Sequence, residues 1–403
     1  MTDIRSVGVL GSGTMGAGIA QVAAEAGLDV LLYDPVAGAT ERAIARIGGF
    51  LDRKVEKAQL DAAGGEAAKA RIGVAPSLDA LVAVDVVIEA IPEDLELKRR
   101  TFAAIDEAAE SHVILATNTS SLSVAQIAAA TRRPQRVAGM HFFNPVPLMK
   151  LVEVIAGPST DRSVTDALAA LATRLGKTPV IAADTPGFIV NRIQRALYLE
   201  AFRIFEAGEA SVTEIDEAMR AAGFRLGPFE LADVVGTDVN LAAGEAIHDG
   251  FDRHPRFRPA DVQRRVVAAG RLGRKTSAGY YDYGADGARG APWSELVSPA
   301  TSIGGEVIER RVLAAIVNEA ASALADGVAS SDDIDTAMKL ASNWPEGPLA
   351  WGDRIGLETV VAMLDDLAAA QPDERYGVTP LLRERAVSVS PELDLDKRPK
   401  SAG

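Results

Sequence analysis

A glycine turn set between two apolar runs constrains this chain more than any other feature. Gly11-Ser12-Gly13-Thr14-Met15-Gly16 follows an apolar run at 6–10 and opens a helical pattern through 21–26. A second apolar run at 30–33 then ends in Asp34. Strand, glycine turn, helix, strand, acid is the order of a βαβ unit in a parallel sheet. Gly11 permits the tight turn, Gly13 a close backbone approach, and Gly16 close packing of helix on strand. The helix start at Thr14 and Met15 supplies amides and a partial positive charge suited to a pyrophosphate. Asp34 stands where the ribose hydroxyls of an adenosine would donate to it. Pro35 follows rather than an arginine, so NAD is expected over NADP.

Further apolar runs at 84–90, 113–117 and 136–143 alternate with helical stretches, which predicts a doubly wound α/β domain over 1–184. At Asp184-Thr185-Pro186-Gly187 a capping oxygen and a proline predict a helix start, and a long amphipathic run, 188–206, follows. From there the pattern is helical. Residues 285–301 are rich in Gly, Ala and Pro and read as a linker; the polar tail 387–403 is expected to be disordered.

The helical half contains a repeat. Leu199-Glu200-Ala201, Ile215-Asp216-Glu217-Ala218-Met219, Gly227-Pro228 and Asp233 reappear as Asn318-Glu319-Ala320, Ile334-Asp335-Thr336-Ala337-Met338, Gly347-Pro348 and Asp353. The offset is 119 residues (200 to 319), then 120 (233 to 353). Two tandem all-α domains, 185–284 and 302–386, therefore follow the Rossmann-like domain.

Composition excludes several classes. With 403 residues the chain exceeds one ordinary core. It has no cysteine, which rules out disulfides and thiolate-held metals, and no metal site is read; a reducing cytoplasm is compatible. No run approaches a membrane span, and no secretory leader is visible. A net charge of −14 repels nucleic acid and anionic lipid, and would repel any anionic substrate unless a local basic patch receives it.

Three segments carry candidate chemistry. Polar residues 117–121 close an apolar strand, where they point into the crevice of such a sheet; Ser120 or Ser121 would equally well cap the next helix. His141 lies inside an apolar strand, and twelve residues on Glu153 lies inside another. A buried lone carboxylate is costly, so Glu153 needs a partner. Pro145 and Pro147 predict a turn that would set the two side by side. A carboxylate on one ring nitrogen fixes the tautomer and stabilises imidazolium, as a base taking a hydroxyl proton requires. A satisfied core histidine is the plainer alternative.

Together these residues resemble the L-3-hydroxyacyl-CoA dehydrogenases. The resemblance is carried by GSGTMGAG at 11–18, NTSSL at 118–122, HFFNPVPLMKLVEV at 141–154, DTPGFIVNR at 184–192, GPFELAD at 227–233 and GRKTSAGYYDY at 273–283. It implies that His141 is the base, that Glu153 orients it, and that Ser120 and Asn191 bond the substrate oxygens. It also implies cofactor contacts at Glu93, Lys98, Ser120 and Asn144, besides Gly11, Gly13, Thr14, Met15, Gly16 and Asp34. Read without the family, Glu93 and Lys98 would pass for a solvated helix face. The acyl-CoA thioester is the implied partner, with Arg53, Lys54 and Lys57 the basic residues near its nucleotide. A short acyl chain such as 3-hydroxybutyryl is the default. The alternative is a dicarboxylic 3-hydroxyadipyl thioester from aromatic degradation, held by one of Arg192, Arg195 and Arg225. A non-catalytic NAD-binding relative is a third reading, which loss of Ser120, His141, Glu153 or Asn191 would signal; all four are present.

Single-unit members of the family resemble this chain in fold and dimerise through the helical domain. The second copy here has Arg310 at the position of Asn191 and lacks a glycine turn and a His–Glu pair of its own. It is therefore expected to be structural, as a lid, a substitute dimer partner or part of the acyl pocket, and the assembly is expected to be either a homodimer or an internal pseudo-dimer of the helical domains.

Overall fold

The computed structural model describes residues 4–297, 299–371 and 374–387. The chain divides into two compact units, one up to Phe188 and one from Ile189 on.

The first unit is built on one eight-stranded sheet. Its strands are β1 (Ser6–Leu10), β2 (Asp29–Tyr33), β3 (Ile72–Val74), β4 (Val86–Glu89), β5 (Ile114–Thr117), β6 (Val137–Phe142), β7 (Leu151–Ala156) and β8 (Thr178–Ala183), in the order β3-β2-β1-β4-β5-β6-β7-β8. Only the β6–β7 pair is antiparallel, so β7 and β8 run opposite to the other six strands. Around the sheet lie α1 (Thr14–Glu25), α2 (Ala39–Glu56), α3 (Ala62–Ala70), α4 (Leu78–Leu81), α5 (Leu95–Ala108), α6 (Val124–Ala128) and α7 (Arg162–Arg174). The strands β4, β5 and β6 are buried along their whole length, which explains their unbroken apolar runs: a strand covered on both faces has no polar side to alternate with.

The glycines act where the sequence requires them. Gly11 has φ +97°, and a Cβ there would stand 2.6 Å from the Ala90 carbonyl oxygen. A Cβ on Gly16 would lie 1.8 Å from the Gly11 carbonyl oxygen, so α1 could not start so close to β1 with any side chain at that position.

The second unit contains the repeat as five helices and their counterparts. In the first copy these are α8 (Val190–Glu206), α9 (Val212–Ala221), α10 (Pro228–Val235), α11 (Thr237–Gly250) and α12 (Asp261–Ala268). In the second they are α13 (Gly305–Ala325), α14 (Ser331–Ser342), α15 (Pro348–Ile355), α16 (Leu357–Ala370) and α17 (Pro380–Val387). The repeat extends to the turn chemistry. Asp216 accepts from the amides of Phe229 (2.9 Å) and Glu230 (3.1 Å), and its counterpart Asp335 accepts from Leu349 (2.8 Å) and Ala350 (3.2 Å). In each copy one aspartate, buried in the first and half-buried in the second, caps the proline-initiated helix that follows it.

The copies pack on each other with a reciprocity that sequence alone did not reveal. Arg192 donates to Glu319 at 2.6 Å, and Arg311 donates to Glu200 at 2.5 Å. Arg192 and Arg311 are equivalent positions, as are Glu200 and Glu319, so residue i meets j while j′ meets i′. That is the signature of an isologous contact. All four side chains are at least nine-tenths buried. Phe224 also faces its own counterpart Trp344, with ring centroids 5.6 Å apart.

Two expectations need correction. The helix signalled at 184–187 begins at Val190, and the Asp184 carboxylate instead accepts from the Val124 and Ala125 amides and the Ser123 hydroxyl, capping α6. The stretch 285–301 is not plain linker: β10 (Arg289–Pro292) pairs antiparallel with β9 (Tyr281–Tyr283). The polar tail lies outside the described residues except Val387, which ends α17.

Candidate active site

The cofactor cradle follows from β1, α1 and β2. Gly13 caps α1 without a side chain, and a Cβ there would meet no atom within 4 Å. Thr14 and Met15 form that first turn. The Asp34 carboxylate accepts from the Ser12 amide (2.8 Å), the Ser12 hydroxyl (2.9 Å) and the Val36 amide (2.9 Å). Burial pushes its pKa up, but these bonds and the Arg42 charge outweigh it and hold it below the usual carboxylate range. An ionised acceptor fixed beside a helix start fits a diphosphate with a ribose attached.

The His–Glu pair is formed by the antiparallel strands. β6 and β7 place His141 directly opposite Glu153, and the ring Nδ1 lies 2.7 Å from Oε2. Glu153 is wholly buried and His141 is 6% exposed. With Nδ1–H directed at the carboxylate, Nε2 keeps its lone pair, the tautomer a proton acceptor needs. Phe143 and Phe188 flank the imidazole at centroid distances of 4.5 and 6.0 Å. The 145–149 turn joining the strands is fixed from two sides. Gly18 lies so close to Val146 that a Cβ would come within 2.8 Å of it, and Lys177 donates to the Val146 and Met149 carbonyls. Asn144 is exposed at the start of this turn.

Glu93 and Lys98 do not form a solvated helix face. Glu93 precedes α5, and its Oε1 gathers the Thr119 hydroxyl (2.6 Å), the Ser120 amide (2.9 Å), and the Ser121 amide and hydroxyl (both 3.1 Å). The Ser120 hydroxyl lies 3.4 Å from the same oxygen. Burial raises the Glu93 pKa, but the Thr119 bond, the Lys98 charge and the Ser120 and Ser121 bonds prevail, so it lies below the ordinary glutamate value. Lys98 is 1% exposed. Neither Ser120 nor Ser121 caps the next helix; Ser123 does.

Two residues that sequence reasoning passed over belong to this site. Glu89, at the end of β4, is fully buried and pairs with Lys98 at 2.6 Å. Asn118 accepts the Phe142 amide at 2.8 Å and ties the end of β5 to the strand of His141. The signal for Glu89 was present: it is a carboxylate at the end of an apolar run, as Glu153 is one within such a run.

The remaining candidates lie elsewhere. Arg53 and Lys54 occupy the last turn of α2, and Lys57 is its C-cap. Lys54 is paired with Glu25, while Arg53 and Lys57 are exposed, with Arg53 over the Phe50 ring at 4.6 Å. Asn191 sits in the first turn of α8, in the second unit. Of the three arginines considered for a distal carboxylate, two have structural partners. Arg192 holds Glu319 and Asp326, and Arg195, stacked on Tyr198 at 4.7 Å, donates to the Asn240 carbonyl. Arg225 is exposed.

Known proteins share this architecture. The NAD binding domain model of 3-hydroxyacyl-CoA dehydrogenase matches residues 6–185, and the C-terminal domain model of the same family matches twice, at 187–283 and 308–389. The chain belongs to the 3-hydroxyacyl-CoA dehydrogenase family. Members of this family are NAD-dependent oxidoreductases acting on the CH–OH group of a hydroxyacyl thioester. A 3-hydroxyadipyl-CoA dehydrogenase of Escherichia coli is 38% identical, the match covering 96% of this chain and 98% of that protein. A crystal structure of 3-hydroxybutyryl-CoA dehydrogenase from Escherichia coli superposes with a TM-score of 0.87 at 38% identity, over 95% of this chain and 98% of that one. The (S)-3-hydroxybutyryl-CoA dehydrogenase of Ralstonia eutropha, 44% identical with a TM-score of 0.68, covers 70% of this chain and is itself covered completely. Among the described residues no helix is long and apolar enough to cross a membrane.

Proposed function

We propose that this chain interconverts an L-3-hydroxyacyl-CoA and the 3-oxoacyl-CoA, with His141 as the proton-transfer group. The observation that carries the reading is the cross-strand pair of His141 and Glu153 at 2.7 Å. Nε2 takes the C3 hydroxyl proton on oxidation, and the imidazolium so formed is stabilised by the buried carboxylate. NAD, when bound, accepts the hydride. Asp34 and the start of α1 would hold its adenosine ribose and pyrophosphate, with Glu93 and Asn144 nearer the nicotinamide. Ser120, steadied by Glu93, bonds the substrate oxygen. Asn191 keeps the substrate contact that its motif implies, on the match of that motif alone. Arg53 and Lys57 receive the coenzyme A phosphates, since the Lys54 charge is already met by Glu25.

The favoured substrate is a short acyl chain such as 3-hydroxybutyryl. The dicarboxylic reading is supported by the name of the Escherichia coli relative, and Arg225 is the arginine left to serve it. Steady-state reduction of acetoacetyl-CoA and of 3-oxoadipyl-CoA with NADH, followed by absorbance, separates the two. A higher kcat/KM for acetoacetyl-CoA supports the short-chain reading, a strong preference for the dicarboxylic thioester replaces it, and turnover of neither rejects both.

We further propose that the second helical copy takes the place of a partner chain, making the second unit an internal pseudo-dimer. The reciprocal Arg192–Glu319 and Arg311–Glu200 pairs support this. A truncation near residue 286 that stays monomeric and fully active contradicts it.

A further inference from the structure

Glu89 ends β4 with no exposure to solvent, and the reaction proposed above does not use it. A buried carboxylate is tolerated only when its lone pairs are met. Here Oε1 accepts from Lys98 Nζ (2.6 Å) and the Ile91 amide (2.7 Å), while Oε2 accepts from the Thr117 hydroxyl (2.7 Å). Lys98 is enclosed in turn. Its ammonium has three protons and faces three protein acceptors: Glu89 at 2.6 Å, the Ile91 carbonyl at 3.3 Å and Glu93 Oε2 at 3.5 Å. Two of these are hydrogen bonds, to Glu89 and Ile91, and the third is an ion pair with Glu93. The close contact anchors it at Glu89, and the longer one extends its charge to Glu93.

Glu93 is the member of this chain that opens outward, with its side chain 35% exposed against 1% for Lys98 and 0% for Glu89. While Oε2 faces Lys98, Oε1 gathers the 119–121 loop. A continuous line of contacts thus runs from the floor of the sheet to Ser120. The charges along it, minus, plus, minus, sum to one negative charge.

We propose that Glu89 is a positioning residue that, through Lys98, sets the place of Glu93 and so of the loop that presents Ser120 to cofactor and substrate. This deepens the functional reading above and rests on it. Lys98 is the link between the two glutamates.

The test reads NADH binding by fluorescence without any acyl substrate, so it is independent of whether the chain turns over a given thioester. Glu89→Gln keeps the shape and removes the charge. The expected result is a loss of NADH affinity of roughly tenfold, within the usual range for coupled neighbours. The expected signature of action through Glu93 is non-additivity: Glu89→Gln/Glu93→Gln should bind no worse than Glu93→Gln alone. A residue that merely supports the fold would make the two losses multiply. Wild-type affinity in Glu89→Gln, or multiplied losses in the double variant, overturns the proposal. Should Glu89→Gln not fold, Glu89→Gln/Lys98→Met removes both buried charges together, an exchange that is often neutral for stability. In that variant a tenfold loss of affinity supports the proposal and wild-type affinity overturns it. If wild type fails to reduce any 3-oxoacyl-CoA, the functional reading fails by that separate measurement.

Discussion

Replacing Glu319 by glutamine removes the carboxylate that two arginines share. Arg192 Nε lies 2.6 Å from one of its oxygens and Arg256 Nη1 3.2 Å from the other, and the Glu319 side chain is 1% exposed. Arg192, 2% exposed, would keep the Ser322 hydroxyl and one ionised partner, Asp326, whose half-exposed carboxylate is partly screened. Breaking a buried pair by removing one partner costs about 3–5 kcal/mol, because a desolvated charge is left behind. For a unit of roughly 200 residues each kcal/mol lowers Tm by about 2–4 °C, so a fall on the order of 10 °C is expected. The assay is built into the chain. Its three tryptophans, Trp293, Trp344 and Trp351, all lie in the second unit, so intrinsic fluorescence during urea unfolding reports that unit alone. Pseudo-symmetry relates the Arg311–Glu200 pair to Arg192–Glu319 and adds a second requirement: Glu200→Gln should cost a similar amount, since Glu200 also faces two arginines, Arg311 at 2.5 Å and Arg203 at 3.6 Å. A loss below about 1 kcal/mol, the range of exposed pairs, or a large loss at one glutamate and none at the other, refutes the reciprocal interface.

Other expectations follow from the same geometry. Glu153→Gln should lower turnover and alter the pH–rate profile while leaving NADH affinity intact; an unchanged rate and profile contradicts its orienting role. Glu93 is held below its ordinary value of 4.5, so its contribution to stability is fully present above that pH and is lost as pH falls through the folded value. Glu93→Gln should therefore lose less stability than wild type between pH 5 and pH 3 in acid titrations of the first unit, and equal losses would show that the Thr119–Ser121 contacts do not hold it. Gly16→Ala should fail to yield a folded first unit or lose NADH binding outright, because its Cβ would overlap the Gly11 carbonyl; a variant that binds NADH normally contradicts the described turn.

Much of this was legible from residues. Periodicity and the glycine turn gave the parallel sheet, and the two lone ionisable groups in apolar strands pointed to the His141–Glu153 pair. The repeat was visible because its turn residues, the capping aspartates and the Gly-Pro starts, are the positions least free to vary. What could not be read was pairing across space. Asp184 precedes one helix in sequence but caps another 60 residues away, because the fold sets the residue after β8 against the start of α6. Lys98 looks like an exposed lysine until β4 brings Glu89 beneath it. Arg192 looks available for a substrate carboxylate until the second copy supplies Glu319 and Asp326, and Arg195 until the Asn240 carbonyl and the Tyr198 ring engage it.

The most direct test of the central claim is turnover of acetoacetyl-CoA with NADH by wild type and His141→Gln, together with NADH affinity. The account predicts active wild type, a loss of kcat of about 10²-fold or more in the variant, and unchanged NADH binding. A variant that turns over at the wild-type rate would contradict the assignment of His141 as the proton-transfer group.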